Sequence, residues 1–327
     1  MTTLAHIAAP ARLLTARFWR DYVVTMRPYL LFVSGITGIA GLAMAPDAER
    51  GAVVALAVVF FLTYGFGQAL TDCFQLDTDS LSAPYRPLVR GALRREDVLA
   101  VSLTGLLASG LVIGSFEPAT LPLCGLAIGG LATYTWFKRR WWGGPLYNAW
   151  IIALVLFIAA RAAGPVSLGS PVLLGALAAA LFGYANFVLV GYYKDLSADR
   201  ATGYRTLPVV FGLPVANRVS DGFAVLAFVG ALASATASIL ETGVAGWVAA
   251  SPFALAAGAA TALAQHRTHR VTCDRDAHTA ISPVVHAYVF LLATVAAAAR
   301  PAWAPALVLF YVGFVFTLRH RPMAEQI

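Results

Sequence analysis

Charged residues are scarce in this chain: Asp, Glu, Lys and Arg together make up 12% of its 327 residues, which is about half the share of an ordinary soluble domain. Hydrophobic residues make up 59%, and the mean hydropathy is +0.74. This composition excludes a soluble globular domain and an intrinsically disordered chain. It predicts a polytopic membrane protein.

Cysteine is also rare, and three scattered cysteines are too few for a disulfide framework. One loop does combine possible zinc ligands, namely His266, His269, Cys273 and His278. Their spacing fits no standard zinc pattern. We therefore expect a basic loop there and not a metal site.

Apolar runs long enough to cross a hydrocarbon core, which takes about 20 residues, recur along nearly the whole chain. They lie at 28–46, 52–70, 98–116, 119–137, 146–163, 172–193, 217–239, 243–264, 281–299 and 302–318. The sequence therefore predicts an all-α bundle of about nine transmembrane helices, or ten. The number depends on the last two runs, which Arg300 and Pro301 interrupt.

The basic residues predict the orientation, because short cytoplasmic loops retain Lys and Arg. With the N-terminus inside, 20 of the 23 Lys and Arg residues fall in cytoplasmic segments, and only Arg50, Arg161 and Arg300 fall elsewhere. The net charge of +7 thus needs no nucleic-acid partner, since it faces anionic lipid. We expect 1–26, which lacks a secretory signal, to be a cytoplasmic segment, 27–318 a single transmembrane domain and 319–327 a cytoplasmic tail.

Two acidic clusters each follow a predicted span that ends on the cytoplasmic side. The first contains Asp72, Asp77 and Asp79, and the second contains Asp195 and Asp199. If the helix of the second span continues inward, Gln68, Asp72, Gln75 and Asp79 share one stripe of it, and Asp195 and Asp199 have the same i, i+4 spacing. Aligned like charges repel. Mg²⁺ is the simplest partner for them, because it binds one or two carboxylates and fills its other positions with water and phosphate oxygens.

Basic side chains lie in loops on the same membrane face, among them Arg86, Lys138 and Lys194. Carboxylates that hold Mg²⁺, together with Arg and Lys, suit a polyanion at the mouth of an apolar bundle. A prenyl diphosphate has that form, with a diphosphate head and a hydrocarbon tail. The alternative is a set of ordinary charged loops stabilised by local ion pairs.

Three segments carry a resemblance to a known family: "DTDSLSAPYRPLVRG", "YTWFKRR" and "KDLSADRATGYRTLPVVFG". Over roughly residues 25–300 the chain resembles the UbiA superfamily of intramembrane prenyltransferases. Asp195 and Asp199 correspond to the DxxxD of its second acidic motif. The first motif departs from the family's NxxxDxxxD, because its positions hold Thr71, Gln75 and Asp79.

The resemblance implies a helical bundle around a central cavity, a diphosphate site capped by cytoplasmic loops, and Mg²⁺ as cofactor. The candidate catalytic residues and metal ligands are Asp72, Asp79, Asp195 and Asp199. Asp77 is a further metal ligand only if the helix ends before it, because it lies about 200° from Asp79 on a continuous helix. The candidate diphosphate-binding residues are Arg86, Lys138, Lys194, Gln68, Gln75 and Tyr134. Tyr134 is equally well interpreted as an interfacial aromatic residue.

Three functions are compatible with these motifs. The first is Mg²⁺-dependent transfer of a prenyl group to a lipophilic or aromatic acceptor, in the cell membrane and with the active site on the cytoplasmic side. The second is a membrane-embedded terpene cyclase that uses the same ionisation site. The third is a non-catalytic prenyl-diphosphate binder that lost its chemistry through Thr71 and Gln75.

Overall fold

The protein is built from helices, and the computed structural model describes residues 10–45 and 47–321. Within these ranges no strand forms, and Arg140 and Arg205 make an isolated β-bridge. The helices of the described residues are α1 (Ala16–Met26), α2 (Leu31–Leu42), α3 (Arg50–Asp72), α4 (Leu76–Ser82), α5 (Arg95–Phe116), α6 (Leu121–Lys138), α7 (Gly144–Ala163), α8 (Pro171–Gly191), α9 (Leu196–Ala201), α10 (Leu207–Thr268), α11 (His278–Ala299) and α12 (Ala304–Arg319).

Each predicted span has a helical counterpart among the described residues. Seven helices are long and apolar enough to cross a membrane, and the bent pair α1 and α2 makes an eighth candidate. The prediction of nine or ten spans is higher because it also includes α6 and divides α10 in two. The last two predicted spans are separate helices, since α11 ends before Arg300 and a short 3₁₀ turn, Pro301–Trp303, precedes α12.

Helix α10 changes direction at two glycines. Its 62 residues would extend about 90 Å as one straight helix, three times the thickness of a hydrocarbon core. Gly212 (φ 78°, ψ 167°) and Gly243 (φ 63°, ψ −144°) interrupt it with non-helical backbone, and these positive φ values favour glycine. The break at Gly243 coincides with the start of the predicted span 243–264, directly after the span 217–239.

The N-terminal helix α1 packs onto the bundle through its buried face. The hydroxyls of Tyr22 and Ser102 on α5 share a 2.8 Å hydrogen bond, and Phe18 is fully buried. The axes of α1 and the following 28–42 segment differ by 46°. The chain turns between them at Arg27, which adopts a left-handed conformation (φ 53°, ψ 74°). Residues 1–9 and 322–327 of the predicted terminal segments lie outside the described residues.

Small residues let α8 and α10 approach closely. A β-carbon added at Gly175 of α8 would lie 2.6 Å from the backbone nitrogen of Ser234 on α10. Such small-residue contacts allow membrane helices to pack backbone against backbone. Helix α11 is the most deeply buried span, and the connections 73–94, 139–143 and 192–206 meet at one end of the bundle, where the candidate site lies.

Candidate active site

A polar cavity lies at this end of the bundle, and both acidic motifs contribute to its wall. Its lining includes Asp72 at the end of α3, Asp79 on α4 and Asp195 in the turn after α8. The predicted diphosphate-binding residues Arg86, Lys138, Lys194, Gln68, Gln75 and Tyr134 also line it. Residues more than 100 positions apart in sequence therefore meet around one space.

The first acidic motif is held by two arginines. Arg27 Nη2 donates to both oxygens of Asp72, at 3.0 and 2.9 Å, and Gln68 Nε2 donates to Asp72 Oδ1 at 2.7 Å. Arg86 forms an ion pair with Asp79, and its Nη1 lies 3.8 Å from Asp72 Oδ1. All these side chains except Gln68 are nearly inaccessible to solvent.

The expectation of one continuous helix through Gln68, Asp72, Gln75 and Asp79 is wrong. Helix α3 ends at Asp72, residues 73–75 form a turn, and α4 begins at Leu76. The four side chains nevertheless line one cavity, because the turn redirects the chain across the end of the bundle. Thr71, which occupies the first position of the motif, lines the cavity too.

Lys138 connects the two motifs across the cavity. Its ammonium group donates to Gln75 Oε1 at 2.8 Å and lies 3.7 Å from Asp195 Oδ2. It also lies over the rings of Tyr192 and Tyr204, at 5.4 and 5.5 Å from their centroids. A buried ammonium group stays charged when carboxylates and aromatic faces surround it in this way.

Asp199 is fully buried and lies behind the cavity, outside its lining. Its Oδ1 accepts a hydrogen bond from Thr78 on α4 at 3.1 Å, and its Oδ2 accepts one from Thr206 at 3.3 Å. The carboxylate thus joins the first-motif helix to the beginning of α10. Its assignment as a metal ligand stays a prediction.

Asp77 points away from the cavity, although the helix does end before it. Its side chain is 42% exposed, and it pairs with Arg139 at 2.9 Å and accepts from the hydroxyl of Tyr204 at 3.0 Å. These contacts hold the α4 segment against the loop after α6 and the loop before α10. Asp77 is thus not among the residues that line the cavity, and its assignment as a metal ligand stays a prediction.

Tyrosines separate the charged part of the cavity from the apolar bundle. The hydroxyls of Tyr134 and Tyr192 share a hydrogen bond of 2.9 Å, and Tyr184 donates to Tyr64 at 3.4 Å. All four line the cavity. Tyr134 thus faces the bundle interior and not the interface with lipid.

An apolar pocket continues from the cavity into the bundle. Tyr64, Gln68, Thr71, Asn148 and Tyr184 line both spaces. The deeper walls are aliphatic and come from α3, α5, α6 and α7. The empty space between the lining atoms, including the part open to solvent, amounts to about 680 Å³ for the cavity and about 790 Å³ for the pocket. The combined space suits an amphiphile with a charged head and an apolar tail.

Burial and charge act against each other in the loops over the cavity. Burial opposes the charge on Arg86, but the carboxylates of Asp79, Asp72 and Asp195 outweigh it and raise its pKa. Burial raises the pKa of Asp79, and the charge of Arg86 acts in the opposite direction. Burial also raises the pKa of Tyr204 to about 12, so its hydroxyl remains a donor to Asp77 at neutral pH. Because burial makes the charge of Asp79 costly, its carboxylate favours any further cation that reaches it.

The carboxylates fit the chemistry of Mg²⁺. Among residues 10–45 and 47–321, no three Asp, Glu, His or Cys side chains converge into a complete metal cage. Mg²⁺ at a phosphate site needs only one or two carboxylates, because water and phosphate oxygens complete its shell. Asp72 and Asp79 on one wall and Asp195 on the other meet this requirement. Arg27, Arg86 and Lys138 form ion pairs with these three carboxylates.

Some polar residues of the spans lie elsewhere. Arg161 lies 4.0 Å from the carboxylate of Glu117 at the opposite end of the bundle, where a long side chain can extend toward the membrane surface. Asn186 faces the interior and accepts a 2.5 Å hydrogen bond from Ser220. In the predicted basic loop, His269 pairs with Asp221 at 2.9 Å.

Sequence reasoning missed several residues of the cavity wall, including Arg27, Asn148 and Tyr192. A polar side chain within an apolar run is the signal that identifies Asn148. Arg27 has a weaker signal, its position directly before Pro28. That position normally disfavours helical backbone, and here the chain turns left-handed and directs the guanidinium to Asp72.

Known proteins resemble this chain in sequence. A model of the UbiA prenyltransferase family matches residues 34–280. The digeranylgeranylglyceryl phosphate synthase of Halobacterium salinarum is 33% identical over 212 residues, which cover 64% of this chain and 72% of that protein. The synthase of the same name from Thermococcus kodakarensis is 28% identical over 216 residues, covering 64% and 76%.

Solved structures share the fold. A UbiA homolog from Archaeoglobus fulgidus bound to GPP and Mg²⁺ superposes with a TM-score of 0.63 at 17% identity, over 85% of this chain and 99% of that one. The apo UbiA homolog from Aeropyrum pernix gives a TM-score of 0.61 at 20% identity, over 91% and 100%. The family model matches most of the chain, including both acidic motifs, and the chain therefore belongs to the UbiA prenyltransferase family.

Proposed function

We propose that this protein transfers a prenyl group from a prenyl diphosphate to a lipophilic or aromatic acceptor, with Mg²⁺ as its cofactor. One observation carries the proposal: the carboxylates of both acidic motifs and the basic side chains line a single cavity that opens into an apolar pocket. The names of the relatives and the GPP-bound homolog support it.

Asp72 and Asp79 on one side and Asp195 on the other are the residues that would hold Mg²⁺ beside the diphosphate. The metal supplies a Lewis acid that stabilises negative charge on the departing diphosphate. Asp199 is proposed to complete the second motif, either as a ligand or through its bonds to Thr78 and Thr206.

The basic side chains of the wall stabilise the leaving group. When the allylic C–O bond breaks, its electron pair leaves with the diphosphate, and Arg86 and Lys138 are placed to donate to the oxygens that gain charge. The acceptor's nucleophilic atom then bonds to the allylic carbon, and the acceptor's proton passes to solvent or to the released diphosphate. Tyr64, Tyr134, Tyr184 and Tyr192 border the reacting carbon, where their faces stabilise the cation and their bulk excludes water.

The acceptor is proposed to reach this cavity from the bilayer. No described region forms a separate soluble domain that could bind a macromolecule. The name of the relatives suggests a prenylated glyceryl phosphate as the first acceptor to test. Aromatic acids, quinone precursors and indoles follow as the second set.

The test is incubation of the purified, detergent-solubilised protein with Mg²⁺ and geranyl, farnesyl and geranylgeranyl diphosphate, with and without each acceptor. We expect diphosphate release that requires an acceptor and stops when EDTA removes Mg²⁺. A cyclic terpene formed without acceptor would identify a cyclase instead. Mg²⁺-dependent binding with no release for any acceptor would identify a non-catalytic binder.

The cytoplasmic orientation of the site has its own test. Cys273 is exposed, whereas Cys73 and Cys124 are buried. Asp274, which follows Cys273, accepts a hydrogen bond of 2.9 Å from the backbone N–H of Ser197. Cys273 therefore lies on the same membrane face as the second motif. A membrane-impermeant maleimide should label inside-out vesicles and leave intact cells unlabelled. The reverse pattern would place the site on the outer face.

A further inference from the structure

We propose that the depth of the apolar pocket limits the length of the prenyl tail to three to four isoprene units, C15 to C20, and that Phe60 is the central residue of its floor. The inference rests on the proposed function, since it assigns the substrate of the same site. It is argued from the depth of the pocket, the packing of its floor and the size of its walls.

The pocket begins where the diphosphate site ends. Gln68 and Thr71 of α3 lie at the junction with the polar cavity, and Asn148 of α7 lies opposite on the same level. A diphosphate beside Asp72 and Asp195 would therefore direct its tail past these polar groups. Below them the wall is formed mainly by aliphatic side chains.

The depth of the pocket can be measured along three helices, and the three values agree. Thr71 and Phe60 are eleven residues apart on α3, and Asn148 and Ile158 are ten apart on α7. Tyr134 at the cavity and Cys124 at the floor are also ten apart, on α6. At about 1.5 Å per residue, the floor lies about 15–16 Å below the junction.

This depth sets the tail length. An isoprene unit advances a chain by four carbon–carbon bonds, each about 1.5 Å long, so one extended unit spans about 4–5 Å. Three units fill the pocket from the junction to the floor. A fourth fits when the first unit lies beside the carboxylates, above the junction. An extended tail also keeps its distal double bonds away from the reacting carbon, which favours transfer over cyclisation.

The floor is made of buried side chains that pack against one another. Phe60, Ile113 and Ile158 are each at most 3% exposed and belong to a buried cluster with Leu42 and Leu56. The ring of Phe60 is also wedged against α2, because a β-carbon added at Gly38 would lie 2.7 Å from Phe60 Cγ. A ring packed against α2 in this way resists displacement by a longer tail.

Close packing of α5 and α6 at a glycine shapes the lower wall of the pocket. A β-carbon added at Gly110 of α5 would lie 3.3 Å from Cys124 Cβ on the facing helix α6, and both residues line the pocket. A large side chain at Gly110 would fill its lower part. Phe60 and Gly110 thus allow the depth to be changed in both directions.

The experiment compares dimethylallyl, geranyl, farnesyl, geranylgeranyl and hexaprenyl diphosphates in two measurements, Mg²⁺-dependent thermal stabilisation and kcat/KM. For the unchanged protein we expect both to peak at C15–C20 and kcat/KM to fall at least tenfold for the C30 substrate. Phe60→Ala should raise kcat/KM for the C30 substrate at least fivefold. Gly110→Leu should move the preferred tail length to C10 or C5.

Phe314→Ala is the matched control, because Phe314 is equally buried and lies outside both spaces. It should lower the unfolding temperature comparably and leave the length preference unchanged. Ile113→Ala replaces Phe60→Ala if that variant does not fold. A length preference that is flat, or that neither floor variant shifts, would overturn the inference. Length-dependent stabilisation without turnover would retain the pocket and refute the proposed function.

Discussion

Replacement of Asp195 by Asn tests the site model most directly, because it removes a charge and preserves the shape. Asp195 is 7% exposed, and its Oδ2 lies 3.7 Å from the ammonium group of Lys138. Lys138 keeps its 2.8 Å hydrogen bond to Gln75 in the variant. We therefore expect the unfolding temperature to change by only a few degrees.

The expected loss of activity follows from the charge. Two unit charges about 4 Å apart interact with about 4 kcal/mol at the effective dielectric constant of a protein near its surface. A Mg²⁺ ion beside Asp195 would lose attraction of this order, which corresponds to about 10³ in rate at limiting Mg²⁺. Partial opening of the cavity to water reduces the effect, so we expect kcat/KM to fall by about 10²–10³.

The assay is acceptor-dependent diphosphate release measured over a range of Mg²⁺ concentrations. Asp221→Asn is the control, because Asp221 pairs with His269 and Gln265 outside the cavity. It should retain most of its activity. If Asp195→Asn keeps more than a third of the wild-type kcat/KM at limiting Mg²⁺, Asp195 does not hold the metal and the reasoning is refuted.

Four further substitutions distinguish the roles of the polar residues in the two motifs. Asp79→Ala should lose at least ten times more kcat/KM than Asp77→Ala, because Asp79 lines the cavity and Asp77 contacts Arg139 outside it; equal losses would count against this division. Asp199→Ala should abolish Mg²⁺-dependent turnover and also lower the unfolding temperature, since two threonine hydroxyls lose their acceptor; near-normal turnover would remove Asp199 from the site. Gln75→Asp should lower the Mg²⁺ concentration for half-maximal turnover by several-fold, because it adds a carboxylate to the cavity wall beside Lys138; an unchanged or higher value would contradict the proposed charge balance.

Much of the fold follows from local sequence signals. Hydropathy identifies the spans because each must place about 20 apolar residues in lipid, and Gly243 divides α10 between two predicted spans. The convergence of the acidic motifs is also predictable, because both follow spans that end on one membrane face. Those signals do not depend on how the helices pack.

Other features depend on backbone turns that have no comparable sequence signal. The end of α3 at Asp72 is one such feature, because residues 73–75 contain no strong helix breaker. The direction of Asp77 is another, because it depends on partners at Arg139 and Tyr204 in two distant loops. The role of Arg27 requires a left-handed backbone that sequence patterns disfavour before proline.

The charge balance of the cavity gives a physical reason for the amide of Gln75. Three ion pairs cross or border it, Arg27 with Asp72, Arg86 with Asp79 and Lys138 with Asp195, and each pair is neutral as a whole. Gln75 accepts from Lys138 without adding charge, whereas the carboxylate of the family pattern would add one negative charge that a further cation must balance. The change from acid to amide thus lowers the demand for metal while retaining the hydrogen bond that positions Lys138. Under the proposed function, the departure from the family motif would adjust how Mg²⁺ is held, and Lys138 would stay in position to bind the diphosphate.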